Sequence, residues 1–337
     1  YTAGSGGIVN GSKLRQCMYL VQKARKEGAK GVISGASVLS PQLAISAWAA
    51  AVAGLPSVQI IGGTSAHTAV RHPSVAIAAM LGSKFYLNRI GYNPNLQYRV
   101  KEIHKQLPQW YPLEYGIGIN HSKTHSLEVE AFHRIGAEQV RNIPPKVQTI
   151  LLPFGSGNTT ASVLYGLVLY PPPALRRVVL FGVGPNKLGW LYERLATIGM
   201  AVGQEVLHHY ALPLLTNAQP LLWGEAPQPQ DQIQLVHHAL HPNFATYHDQ
   251  MPYSWDGLAM HPTYEGKCWQ YMQERPELWR DYVTPTSLFW IVGSALDAGR
   301  AAAILARPLP KEVSLWQGAP VPLSGALRSG KGYTPAT

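Results

Sequence analysis

Short apolar runs bounded by glycine alternate with longer segments of helical periodicity along most of this chain, and no other sequence feature constrains its fold as strongly. A continuous apolar run is what a strand buried on both faces looks like, and strands separated by helices read as parallel sheets covered by helices. In the first stretch, helical patterns at 14–26, 42–53, 67–81, 96–106 and 126–140 surround strand patterns at 31–34 and 58–61, until Pro144-Pro145 breaks the series. A second series has strands at 149–152, 178–183 and 287–292, and helices at 160–169, 188–200, 266–274 and 295–305. A short apolar run at 258–260 precedes the third of these helices, the Pro- and Gln-rich stretch 212–230 reads as loop, and the segment after Pro308 as a Pro- and Gly-rich tail. The pattern predicts an α/β fold with parallel sheets and two lobes.

With 337 residues, 46% of them apolar and 14% charged, the chain can bury a sizeable core and is not a disordered polyelectrolyte. Its longest nearly unbroken apolar run, the thirteen residues 43–55, is shorter than the roughly 20 residues a membrane-spanning helix needs. No basic-then-apolar leader pattern opens it. It begins at Tyr1 rather than Met, so an upstream piece is expected. Two cysteines, Cys17 and Cys268, make neither a disulfide framework nor a cysteine zinc site and suit a reducing cytosol. The net charge of +10 lies in the first half: residues 1–150 carry 16 basic and 6 acidic side chains, residues 151–337 carry 12 of each. Such a field either draws in a phosphate-bearing partner, a phosphorylated cofactor or nucleic acid, or is a solvated surface.

Four loops carry chemistry. Pro153-Phe154-Gly155-Ser156-Gly157-Asn158-Thr159-Thr160 comes after a strand and opens a helix. Glycines let backbone N–H groups close on an anion, the helix start adds positive potential, and Ser156, Asn158 and Thr159 add side-chain donors. This is a phosphate cup, and no Gly-Lys-Ser/Thr makes it a Walker loop. Asn10-Gly11-Ser12-Lys13-Leu14-Arg15 sets a lysine at a helix start, where positive potential eases loss of its proton and favours imine chemistry. Ser37-Val38-Leu39-Ser40-Pro41-Gln42 runs into another helix and offers donors to a carboxylate. His261-Pro262-Thr263-Tyr264-Glu265-Gly266-Lys267 enters a fourth, with a tyrosine beside a carboxylate. The stretch 178–186, with Gly182 and Gly184 but no third glycine, is read as a sheet strand rather than a dinucleotide site. His208-His209 and His237-His238 with His241 are read as packing or surface histidines, and no metal is expected.

In this order the four loops resemble those of fold-type-II pyridoxal phosphate enzymes, the tryptophan synthase β superfamily, and are most similar to 1-aminocyclopropane-1-carboxylate deaminase and D-cysteine desulfhydrase. The resemblance spans about residues 5–305. It implies a two-lobed α/β fold with parallel-rich twisted sheets flanked by helices. The larger, cofactor-holding lobe would comprise 1–35 plus 143–337, and the smaller, substrate-side lobe 36–142. It implies pyridoxal 5'-phosphate joined to Lys13 as a Schiff base, its phosphate held by Gly155, Ser156, Gly157, Asn158 and Thr159, and its ring nitrogen facing Glu265. Tyr264 would lie near the substrate, Ser40 would serve catalysis, and Ser37, Ser40 and Gln42 would bind the substrate carboxylate. A homodimer in the cytoplasm is the superfamily expectation.

The chain departs from the family at Pro41, where an asparagine usually meets the cofactor's phenolic oxygen, and at Gly293-Ser294, where Gly-Gly is usual. The family's proline- and serine-rich substrate loop is absent from 111–125, and only twelve residues precede Lys13. The start Asn10-Gly11-Ser12-Lys13-Leu14-Arg15-Gln16 and the Ser40-Pro41-Gln42 loop are similar to those of bacteriophage-carried members, some of which remodel amino acids attached to thymine in DNA. The expected function is pyridoxal-phosphate chemistry at the Cα of an amino acid, with elimination or deamination as the family default. One alternative is decarboxylation or remodelling of an amino acid on thymine in phage DNA, in the host cytoplasm. Another is a non-catalytic, nucleic-acid-binding relative.

Overall fold

Leu14–Lys26 forms α1, and Gly31–Gly35, buried along its whole length, forms β1. Then come α2 (Gln42–Val52), β2 (Ser57–Gly62), α3 (Ala66–Ala69), α4 (Pro73–Met80), β3 (Lys84–Asn88), α5 (Asn93–Gln106), β4 (Trp110–Pro112) and α6 (Ser126–Ala137). The second half supplies β5 (Thr149–Phe154), α7 (Asn158–Leu169), β6 (Arg177–Gly182), α8 (Leu188–Val202), β7 (Tyr210–Ala211) and β8 (Ile233–Ala239). It continues with the β9–β10 hairpin (Tyr253–Trp255 and Leu258–Met260), α9 (Glu265–Gln273), α10 (Pro276–Tyr282), β11 (Ser287–Phe289) and α11 (Ala298–Leu305). This is a computed structural model, describing residues 7–120, 123–203, 206–211, 232–255, 258–293 and 296–318. Ser294, the stretch 212–230 and the end of the tail therefore lie outside the described residues.

Two all-parallel sheets carry the fold. The smaller has the order β3-β2-β1-β4 and the larger β11-β5-β6-β8-β7. Helices cover both faces, which is why β1, β2 and β5 are buried at every position. One core lies under α6, α7 and α8 against Ile150, Leu152, Val178 and Leu180; another joins α1, α2 and Phe132 of α6. Among the described residues, no helix is long and apolar enough to cross a membrane.

The expected helix and strand alternation is present, with local corrections. The single helix expected at 67–81 is two, because Pro73 lacks an N–H and starts α4 afresh. The helix expected at 126–140 leaves α geometry after Ala137 for a 3-10 turn over Glu138–Asn142. The strand expected at 287–292 ends at Phe289, and the helix expected from 295 starts at Ala298, where Asp297 caps it. Strands β3, β4 and β8 and helix α10 have no counterpart in the sequence pattern. β1 pairs with both β2 and β4, so the smaller sheet begins at Gly31, ahead of position 36 where the sequence division starts the smaller lobe.

Close packing of α5 on β1 depends on a missing side chain. A Cβ on Gly35 would stand 2.7 Å from Val100 Cγ2 and 3.2 Å from the Leu96 carbonyl oxygen. Gly35→Ala is expected to cost about 1–3 kcal/mol, read from the urea midpoint. Adding Val100→Ala removes the side-chain clash, so the double variant is expected to be more stable than the sum of the two single changes.

Candidate functional site

In sheets of parallel strands, ligands gather where the strands' C-terminal ends open into loops. One pocket of about 450 Å³, counting space open to solvent, sits where both sheets present such ends. Ser40 and Gln42 reach it from the loop after β1, Tyr115 and Gly116 from the loop after β4, Gly155 and Ser156 from the loop after β5. Gly184, Pro185 and Lys187 come from the loop after β6, and Lys13, Asn93, Tyr247 and Tyr264 complete the wall. Among the described residues, no aspartate or glutamate lines it.

The start of α1 is fixed against the start of α7. Gly11 turns the chain with φ 103°, and the hydroxyls of Ser12 and Thr159 share a hydrogen bond of 2.9 Å. Ser12 also donates to the Val292 carbonyl, and Gln139 Nε2 donates to the Ser12 carbonyl. One turn further on, Gln16 Nε2 donates to Ser162 Oγ at 3.0 Å, and His133 shares that hydroxyl from α6. Lys13 is thereby held at the pocket wall. Burial, with the charges of Lys187 and Arg194 adding to it, brings its ammonium down to about 8. A sizeable fraction of its amine is then neutral and nucleophilic near neutral pH.

The glycine cup comes directly after β5. Gly157 takes φ 84°, and Arg194 Nη1 donates to the Ser156 carbonyl at 2.6 Å. A Cβ at Gly157 would lie 2.5 Å from that nitrogen, so glycine is required twice over, for conformation and for space. Ser156 Oγ is buried without a partner among the described residues, as is Asn158 Oδ1, while Asn158 Nδ2 donates to the Gly116 carbonyl. An orphaned buried hydroxyl costs stability unless something fills its valence. Pyridoxal phosphate fits this arrangement: an amine of lowered proton affinity stands in one pocket with a phosphate-sized glycine turn, an unused hydroxyl and nearby cations.

Of the residues singled out in the sequence, Lys13, Ser40, Gln42, Gly155, Ser156 and Tyr264 share this pocket. Gly157, Asn158 and Thr159 stand behind the cup, with Thr159 holding Ser12. Ser37 does not line the pocket; its carbonyl accepts from Ser40 N and its hydroxyl from Leu39 N, which shapes the loop. Ser40 Oγ accepts from Gln42 N, and buried Gln42 ties Ser34 Oγ to the Gly116 N–H. These contacts give Gln42 a bracing role between the loops after β1 and β4. Pro41 sits ahead of α2, where a missing N–H costs nothing.

Glu265 also stands behind the wall. It is fully buried, its Oε1 accepts from Val292 N at 2.6 Å and Gly293 N at 2.7 Å, and Oε2 has no partner among the described residues. Burial pushes its carboxyl up to about 7, against the lowering effect of those backbone bonds. Tyr264 shares a 2.9 Å hydrogen bond with the Tyr247 hydroxyl, and burial holds its phenol well above the ordinary range. The Lys267 ammonium, itself buried, donates to the carbonyls of Thr246 and Tyr247 and so fixes the backbone that carries Tyr247.

Sequence reading misses Lys187, Arg194, Tyr115 and Tyr247. Lys187 looks like any surface lysine and Arg194 like the polar face of a helix; the only local signal is Gly184-Pro185 ending a strand. The stretch 178–186, read as a sheet strand, is strand only to Gly182, and Gly184 and Pro185 beyond it line the pocket. Among the described residues no metal-binding cluster occurs. His237 instead packs edge-on to Phe154, and His238 stacks on Phe181.

Over 323 residues, 87% of this chain and 74% of its relative, the sequence is 34% identical to the O-seryl-dTMP PLP-dependent decarboxylase of Salmonella phage ViI. In fold it is similar to the crystal structure of an ACC deaminase homologue, with a TM-score of 0.58 and 15% identity over 90% of this chain and 85% of the other. No protein-family model matches.

The charges lead to two expected outcomes. Because Lys187 lowers Lys13, Lys187→Gln is expected to raise the Lys13 pKa, and absorbance titration with added pyridoxal phosphate should show the amine reacting only at more alkaline pH. For Glu265, a folded-state carboxyl raised from 4.5 to about 7 contributes stability below 4.5 that is lost as pH rises through about 7. In the cofactor-free protein, Glu265→Gln keeps an acceptor oxygen for the two N–H groups and should gain on the wild type across that window. Glu265→Ala strands both donors and should lose about 1–3 kcal/mol by urea denaturation, at acidic and neutral pH alike.

Proposed function

Since this chain belongs to the family of the phage O-seryl-dTMP PLP-dependent decarboxylase, and is therefore a pyridoxal-phosphate-dependent enzyme of fold type II, we propose that it removes the carboxyl group of an amino acid carried on thymine in DNA. The observation that carries the proposal is the convergence of Lys13, the cup at Gly155 and Ser156, and the cation Lys187 in a pocket lined by no acid, with Arg194 bonded behind the cup. A substrate bearing both a carboxylate and phosphates suits such a wall. Elimination or deamination of a free amino acid belongs to the same chemistry at Cα, but such a substrate brings a carboxylate and no phosphate of its own to Lys187.

When bound, pyridoxal phosphate supplies the electron sink that lets a bond at Cα break. The chain's own groups do the rest. Lys13 Nζ would hold the cofactor through its aldehyde and, as the amine in the pocket, would deliver the proton that replaces carbon dioxide at Cα. The atoms balance: the Cα–carboxyl carbon bond breaks, one carbon dioxide departs, one proton arrives, and a primary amine remains on the thymine substituent. Gly155 and Ser156 face the pocket as the phosphate cup, with Gly157, Asn158 and Thr159 supporting it from behind, and Glu265 keeps the ring side of the site in place through Val292 and Gly293. The Ser40 loop and Tyr115 face the substrate carboxylate, and Tyr264, held by Tyr247, closes the pocket against water.

The proposal includes two working lobes, the smaller spanning about residues 31–142 because β1 pairs with β2 and β4 and the larger taking the rest, together with homodimer assembly and action in the host cytoplasm. To test the reaction, the holoenzyme is incubated with DNA carrying O-seryl-thymine, and the nucleosides are examined by mass spectrometry. The expected product has lost the mass of carbon dioxide, and Lys13→Ala is expected to slow its appearance by at least about a hundredfold. An unchanged nucleoside, alongside turnover of a free amino acid, would overturn the DNA reading.

A further inference from the structure

Two cations line the pocket and a third, Arg194, stands behind its cup, yet they are not equivalent. Arg194 is committed to the Ser156 carbonyl and braces the cup. Lys13 is the reactive amine at the start of α1. Lys187 makes no salt bridge among the described residues; its Nζ lies 5.0 Å from the centre of the Tyr115 ring and 5.2 Å from that of Trp190. Trp190 is 54% exposed and stands at the first turn of α8, also beneath the Arg194 guanidinium at 5.8 Å.

An exposed indole offers a flat face on which another ring can stack. Cations beside an exposed aromatic face, at the rim of a pocket whose wall holds no acid, form a unit that fits a nucleotide: ammonium for phosphate, ring for base. Lys187 answers to no acidic group on its own helix, where Glu193 instead faces Arg194. Burial, then the charge of Arg194, lower its proton affinity, and an incoming anion would relieve both.

We propose that Lys187 and Trp190 form a nucleotide-binding subsite at the pocket rim, Lys187 taking a backbone phosphate and Trp190 stacking a base of an unpaired DNA strand. The subsite rests on the DNA reading of the function and deepens it. It lets the modified thymine enter with its amino acid towards Lys13, while the strand stays anchored outside. A base within a duplex could not reach such a ring, so unpaired or flipped DNA is the form bound.

The test uses the holoenzyme, with cofactor content checked by absorbance, and a fluorescently labelled single-stranded oligothymidylate followed by anisotropy at several salt concentrations. Trp190→Ala is expected to weaken binding by about fivefold or more, and Trp190→Phe to restore most of it. Lys187→Gln is expected to reduce the magnitude of the salt slope by about one phosphate contact. Both variants binding as tightly and as salt-sensitively as the wild type would overturn the subsite. So would a wild-type enzyme that decarboxylates a seryl-thymine mononucleotide but ignores the oligonucleotide, a result that leaves the proposed reaction standing. Trp190-dependent binding without any decarboxylation would instead sink the reaction and keep the subsite.

Discussion

A single hydrogen bond between Ser12 and Thr159, residues 147 positions apart, brings two helix starts to one point. One of those helices begins just after the reactive lysine, and the other just after the glycine turn that ends β5. Backbone N–H groups at a helix start are unsatisfied and carry positive potential. Bringing two such ends together, with Lys13, Lys187 and Arg194 beside them, makes a region of positive potential, with buried Glu265 as the acid behind its wall. An anion relieves that strain, and the phosphate of the cofactor is the anion the family uses. Burial first, and the neighbouring cations after it, make the Lys13 amine give up its proton more readily than a solvated lysine.

The scaffold around this point is stiff where stiffness serves the chemistry. Gln16, His133 and Ser162 join α1, α6 and α7 through one hydroxyl, and Gln42 joins the loops after β1 and β4. Lys267 fixes the backbone under Tyr247, whose hydroxyl in turn fixes Tyr264. The donors of Gln16, Gln42 and Lys267 all find acceptors within the chain, and such networks specify one arrangement. Among the buried polar atoms that find no partner in the described residues, Ser156 Oγ, Asn158 Oδ1 and Glu265 Oε2 lie around this site, while others, such as His104 Nδ1, lie elsewhere.

Much of this is legible in the sequence. The glycines of the cup, the lysine ahead of α1 and the tyrosine–glutamate pair announce themselves because special backbone conformations and helix starts leave local marks in the chain. Elements with buried, unbroken apolar runs, such as β1 and β5, are legible for the same reason. Lys84–Asn88 is not, since its apolar run of Phe85, Tyr86 and Leu87 is short and framed by an exposed lysine and an asparagine; Ile233–Ala239 hides behind two histidines. The cations Lys187 and Arg194 gain their meaning only from burial and from each other, and those are properties of the folded chain. Ser37 and Gln42 show the converse: residues chosen as substrate donors spend their hydrogen bonds on the loop and its neighbour.

Whether Lys13 is the amine that holds pyridoxal phosphate decides everything else. Borohydride reduction of the holoenzyme fixes the cofactor to whichever lysine carries it, and peptide mass mapping then identifies that residue. The added mass is expected on the peptide containing Lys13. The same mass found on Lys187 or Lys267, or on no lysine at all, would contradict that assignment.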